Sequence, residues 1–305
     1  MNSRVSVLLR KGRSLEEISE KVSFAEEEEV QPEEVDDLRF AFSVFLYEGF
    51  VEKYNLATDQ TSLVYLNQFE GIDIQVYNLA YTPHQVIIIT GAFPRRGRDI
   101  GTNALSICAT KEYALTTIAK MKFGRRHHSS AYHQGYVYVV GGDLVHSTYG
   151  SLSTYCERYN IANDLWEEVA GMPKPARHMG VTTTNSLLIT FGGLGPGKRI
   201  KSIQCLDMNS LTWRELSLKL PVIGTFIACF KARQDEVFFI QNSTLYSLSQ
   251  SLDAIHKVKD LSENIDGKGG QCIYHKKVLH CFANLKGGSK HSIGDLDCLG
   301  EPFDC

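Results

Sequence analysis

Residues 136–142 read Tyr-Val-Tyr-Val-Val-Gly-Gly, and 51 residues later 187–193 read Leu-Leu-Ile-Thr-Phe-Gly-Gly. Each run is followed by a segment opening on a cysteine, Cys156-Glu157-Arg158-Tyr159-Asn160 and Cys205-Leu206-Asp207-Met208-Asn209. Trp166 or Trp213 comes next, and then Met172-Pro173 or Leu220-Pro221. Self-similarity at this period marks a repeated supersecondary unit, stacked or set in a ring, rather than one irregular globule. On such a scaffold packing fixes the strands and the loops carry function.

The same rhythm extends in both directions. From Phe40 onward, short runs rich in Val, Ile, Phe and Tyr alternate with Gly, Asn and Asp, the pattern of strands and turns. They group into six blocks, 42–66, 74–118, 129–169, 179–216, 226–259 and 270–295, each with strands in the order a, b, c, d. The first and last blocks are each one strand short. A ring that closes with strands from both ends would remove the exposed sheet edges. The expected fold is all-β.

Gly141-Gly142, Tyr159-Asn160 and Trp166 together resemble a kelch repeat, and the resemblance runs from Arg125 to Pro221. Elsewhere the signature decays: Glu48-Gly49, Gly91-Ala92, Gln241-Asn242 and Ala283-Asn284 stand where Gly-Gly is expected. The resemblance implies a kelch-type β-propeller of six blades of four antiparallel strands over residues 39–305. Gly141, Gly142, Gly192 and Gly193 are then structural, because paired glycines permit positive φ and close backbone approach at a crowded corner. Trp166 and Trp213 are read as packing between blades.

Residues 1–38 differ in composition. They hold 11 acids and 5 bases, a charge of −6, while the rest of the chain carries +3. Ser14 and Glu17 are spaced as a capping box ahead of a short helix, but Glu26-Glu27-Glu28-Glu29 and Gln31-Pro32-Glu33-Glu34 read as a solvated, flexible leader. The N-terminus has no apolar stretch fit for a signal peptide, so a cytoplasmic protein is expected. The eight cysteines have no zinc-like or disulfide-framework spacing and read as reduced thiols, partly buried.

Antiparallel alternation sends the b–c and d–a loops to one face of each blade and the a–b and c–d loops to the other. Five loops of the first kind are basic. They carry Arg95, Arg96 and Arg98; Arg125 and Arg126; Lys174 and Arg177; Lys198, Arg199 and Lys201; and Lys286 and Lys290. Phe93, Phe123 and Tyr149 interleave with them. Arginine's planar fork suits carboxylate or phosphate, so this face is expected to bind an acidic or phosphorylated segment of another protein. The competing reading is that Arg125 and Arg177 brace neighbouring loops instead. The resemblance points to the same face, where kelch propellers capture acidic peptides. The acidic leader is a candidate competitor for that face in cis.

No cofactor or metal is expected. His127, His128 and His133 suggest a metal cluster, but His128 and His133 fall at opposite ends of one strand and cannot share one ion. No phosphate loop before a helix, nucleophile elbow or zinc-protease motif occurs. The alternative to a binding module is a propeller enzyme acting on an anionic small molecule such as an acidic sugar. Membrane and nucleic-acid partners are not expected, since the net charge is −3 and the bases ring a mouth rather than form a stripe. The resemblance also raises ubiquitin-ligase and cytoskeletal partners, because many kelch proteins are scaffolds or adaptors and some bind actin. A 38-residue leader is too short for a BTB or F-box domain.

Overall fold

In the computed structural model, the described residues are 40–45, 50–55, 58, 60–65, 72–73, 78–82, 86–94, 103–108, 114–144, 151–225, 227–232, 235–261, 271–275, 278–285 and 288–295. The leader with its proposed cis role, Arg95, Arg96, Arg98, Tyr149 and Lys286 lie outside them. Among the described residues there is no α-helix, and no helix is long and apolar enough to cross a membrane.

Besides one two-stranded ribbon, the described strands form six antiparallel sheets in chain order, here called blades. Blade one comprises Phe40–Phe45, Phe50–Asn55 and Gln60–Tyr65. Blade two comprises Asn78–Tyr81, Val86–Pro94, Asn103–Cys108 and Ala114–Ile118, with Ile72–Asp73 paired to the far end of its second strand. Blade three is Ser129–His133, Tyr136–Val140, Cys156–Asn160 and Leu165–Val169. Blade four is Gly180–Thr183, Leu187–Phe191, Ser202–Asp207 and Thr212–Lys219. Blade five is Ala228–Lys231, Val237–Gln241, Thr244–Leu248 and Ile255–Asp260. Blade six is Gln271–His275, Val278–Leu285 and Gly288–Asp295. From blade two to blade six, each first strand neighbours the first strand of the next blade. The blades therefore fan out from a common inner edge.

The decisive run of the sequence is strand b of blades three and four. A strand covered on both faces reads as a continuous apolar run rather than an alternating one. Val137 and Val139 pack with Ala80, Met121 and Tyr159 on the blade-two side. Tyr138 and Val140 pack with Leu188, Leu206 and Met208 on the blade-four side. One strand further round, Leu188 faces back while Ile189 and Phe191 face forward onto Val237 and Phe239. Every described core cluster of this kind sits between two blades. Trp166 packs against the cluster between blades two and three, and Trp213 against that between three and four. The Trp166 Nε1 donates to Ala119 O at 2.7 Å and the Trp213 Nε1 to Ala170 O at 2.7 Å. Each indole thus fastens its blade to the residue that leaves the previous one.

Two sequence expectations shift. Matching Cys156 with Cys205 is out of step by two residues: Cys156 faces Val140, whereas Ile203 faces Phe191, so Ile203 is the repeat partner of Cys156. The turns agree with this pairing. Asn160 Oδ1 accepts from the amides of Ala162 and Asn163, and Asp207 Oδ1 from those of Asn209 and Ser210. Strand b of blade two also runs on to Pro94, bending at Gly91 where the register shifts, so Phe93 lies in a strand and not in a loop. Cys156 and Cys205 are free and buried, and burial pushes both thiols up to about 12.

Candidate functional site

The d–a and b–c loops meet on one face in blades three and four. Arg125–Arg126 pairs as a short ribbon with Asp143–Leu144, and Arg177 bridges Leu194, which in turn bridges Arg199. Gly142 and Gly193 make this approach possible. Their φ values are 89° and 100°, and a Cβ would lie 2.6 Å from Arg126 O at the first and 2.7 Å from Arg177 O at the second. Gly141 and Gly192 also adopt positive φ, at 65° and 58°.

The bases of this face divide into two kinds. Arg125 is fully buried. Its Nη2 pairs with Glu157 at 2.6 Å, its Nη1 donates to Tyr155 O at 2.6 Å and Gly141 O at 3.1 Å, and its Nε donates to Phe123 O at 3.4 Å. It acts as a brace and presents nothing to a partner, because every donor is turned inward. Arg177 is a partial brace: its Nη1 donates to the buried Asp143 at 2.8 Å while its side chain stays 33% exposed.

Arg126 is the other kind. Its side chain is 47% exposed and its Nε stands 4.0 Å from Asp143 Oδ2, a long contact that leaves the guanidinium turned to solvent. Lys198 and Arg199 are exposed on the tip of a tight hairpin, where Pro196-Gly197 makes the turn and Gly197 takes φ 72°. Among the described residues no carboxylate pairs with either. Lys201 is exposed and spans to Pro221 O at 2.7 Å. Lys174 pairs at 2.8 Å with Glu215 near the outer strand. Lys290 falls within strand c of blade six, opposite Ala283, so the b–c turn there is shorter than the sequence suggested.

Asp143 is the hub of the inner rim. It is fully buried, accepts from His127 Nδ1 at 2.9 Å and from Arg177, and its Oδ1 has no hydrogen-bond partner among the described residues. His127 and His178 occupy equivalent places, both with φ 55°, and their rings lie 4.4 Å apart. Burial, helped by His127 and Arg177, lowers His178 to about 4. His128 is buried, meets Thr90 Oγ1 at 2.7 Å, and is lowered to about 3 chiefly by burial. Among the described residues, no group of three or more His, Cys, Asp or Glu is placed to hold a metal ion.

Sequence reasoning missed Tyr155. It stacks on Phe123 with ring centroids 4.5 Å apart and planes 11° apart, and it is 43% exposed. Asp143 was also missed. Its signal was available, since it is the one carboxylate in the b–c and d–a loops of blades three and four.

Comparison with known proteins agrees with this geometry. Residues 124–173 match the family model of the Kelch motif. The chain is similar to Kelch-like protein 38 of Mus musculus, 24% identical over 177 residues, which are 55% of this chain and 30% of the relative. It is similar to Beta-scruin of Limulus polyphemus, 29% identical over 108 residues, 34% of this chain and 12% of the relative. Kelch-like protein 38 of Rattus norvegicus is 25% identical over 144 residues, 46% of this chain and 24% of the relative. The matches thus span less than a third of the length of these curated relatives. With its inter-blade tryptophans, its glycine pairs and these similarities, the chain carries a Kelch motif at residues 124–173 within an all-β, propeller-like fold.

Proposed function

We propose that this chain is a protein-interaction module whose b–c/d–a face binds an acidic or phosphorylated segment of a partner protein, as a recognition or scaffold subunit. One observation carries the reading. The b–c and d–a loops of blades three and four expose Arg126, Lys198, Arg199 and Lys201, while Lys122, Arg125, Lys174 and Arg177 in the same loops are paired with Glu168, Glu157, Glu215 and Asp143. The turns of the opposite face in blades three to five carry Asp164, Asp235, Glu236 and Asp253 against the single base Arg233. Charge is sorted by face although the chain as a whole is close to neutral. Such a field steers an anionic partner to one side and discourages the other. Similarity to kelch-like proteins supports a protein partner rather than a small substrate. The same reading takes the six sheets as six blades of a closed ring, with the three-stranded first and sixth sheets nearest the closure.

The test is a titration of a labelled glutamate-rich peptide into the full chain and into an Arg126→Ala/Lys198→Ala/Arg199→Ala variant over a salt series. Loss of three phosphate- or carboxylate-facing cations should weaken binding by roughly tenfold or more at low salt and flatten the salt dependence. Equal affinity for the two proteins would refute the reading.

A further inference from the structure

Beside the basic rim lies a feature that charge does not explain. Phe123, in the d–a loop before blade three, and Tyr155, at the end of that blade's b–c loop, form a stack in which Tyr155 is exposed and Phe123 is half-buried. The backbone beneath both rings is held from below. Buried Arg125 donates to the carbonyls of both Phe123 and Tyr155, Glu157 accepts the Phe123 amide at 3.2 Å, and Ser153 Oγ accepts the Tyr155 amide at 3.0 Å. Lys122 Nζ stands 5.2 Å from the Phe123 ring centroid while pairing with Glu168. A fully buried ion pair therefore fixes the backbone of a stacked aromatic pair whose Tyr155 ring is exposed. Fixed aromatic rings lose little entropy when a ligand covers them, and they give large contact area per residue.

Resting on the proposed function, we propose that Phe123 and Tyr155 form a stacking platform that gives the basic face its sequence preference: the bound segment carries an aromatic residue close to its acidic ones. Charge complementarity supplies the acidic part, from exposed Arg126 three residues beyond Phe123. Three residues of extended chain reach at most about 10–11 Å, so the aromatic residue lies within about three or four positions of the acidic residue that meets Arg126. A single-stranded nucleic acid would also stack and pair with cations, but the protein's net charge of −3 and its acidic opposite face favour a peptide.

Two labelled peptides test this, a hexaglutamate and the same peptide with one tryptophan three residues from its nearest glutamate, together with an oligothymidine of matched charge. Binding to the full chain is measured for the native protein, Tyr155→Ala, Tyr155→Phe and the Arg126→Ala/Lys198→Ala/Arg199→Ala variant. The tryptophan should improve binding roughly three- to tenfold, the range of an aromatic pair beyond its buried area. Tyr155→Ala should abolish that improvement, so that the two peptides bind it alike, while Tyr155→Phe retains the difference. The proposal is overturned if the tryptophan has no effect on the native protein, if its effect survives in Tyr155→Ala, or if the oligothymidine binds more tightly than both peptides. Failure of the charge reading is a separate result, in which the triple variant binds hexaglutamate as the native protein does.

Discussion

Glu157 and Gln204 stand at the same point of consecutive blades and hold equivalent d–a loops with different charge. Glu157 faces Val139 and Gln204 faces Thr190, positions 51 residues apart. Glu157 accepts the amides of Lys122 and Phe123, at 2.6 and 3.2 Å. Gln204 Oε1 accepts the amide of Lys174 at 2.8 Å, and its Nε2 donates to the Lys174 carbonyl at 3.1 Å. The carboxylate needs a counter-charge when buried and the amide does not. Arg125 supplies it in blade three, and Ala176 fills the equivalent place in blade four.

This relationship predicts a rescue. Arg125→Ala leaves a buried, unpaired carboxylate and should cost about 3–5 kcal/mol. Adding Glu157→Gln reproduces the neutral pair of blade four and should recover at least half of the loss. Urea denaturation of the two single variants and the double variant measures it. Additive losses would show that the two blades are not equivalent in this respect.

Asp143 neutralises part of the face it supports. Asp143→Asn keeps an oxygen for Arg177 but removes the charge, so a glutamate-rich peptide should bind several-fold more tightly, with a steeper salt dependence. Losing the charge-assisted bonds should also cost about 1–3 kcal/mol of stability. Peptide titration and thermal unfolding of the same preparation separate the two effects. Weaker peptide binding would mean that Asp143 positions the cations more than it quenches them.

The tryptophans act partly through one bond each. Trp166→Phe and Trp213→Phe keep an aromatic ring but leave the carbonyls of Ala119 and Ala170 without the indole donor, and each should cost about 1–2 kcal/mol. The effects should add in the double variant, because the two bonds lie in different inter-blade seams. Urea midpoints check both statements.

Acid should weaken the fold early. His128 titrates near 3 and His178 near 4 in the folded protein, chiefly because burial disfavours the charged ring. Their value in an unfolded chain is about 6.5. Between those values the unfolded state binds more protons, so stability is full above about pH 6.5 and falls as pH drops toward 4. His128→Gln should flatten that slope while lowering stability at neutral pH by loss of the contact to Thr90. Urea denaturation from pH 4.5 to 7.5 is the measurement. An unchanged slope would remove His128 from the cause.

Strand b was legible because burial on both faces writes an unbroken apolar run, and the glycine pair was legible because no residue with a Cβ fits where Arg126 O and Arg177 O approach. The offset in strand c was not. Blade four has a b–c loop four residues shorter than blade three, and a second cysteine two places further on offered a false match. The role of Arg125 was equally hidden, since an arginine reads the same whether its fork faces a ligand or a buried glutamate. The contrast of Arg125 and Glu157 with Ala176 and Gln204 is its only trace in sequence. Tyr155 lies just outside a strand, where no periodicity marks a side chain as exposed or buried.

The face used for binding is best tested by photo-crosslinking. A glutamate-rich peptide bearing a benzophenone is irradiated with the full chain, and the attachment sites are mapped by mass spectrometry. Attachment within residues 119–128, 141–155, 170–179 and 192–201 is the expected result. Attachment at the turns 134–135, 161–164, 184–186 and 208–211 would contradict it, by placing the peptide on the opposite face.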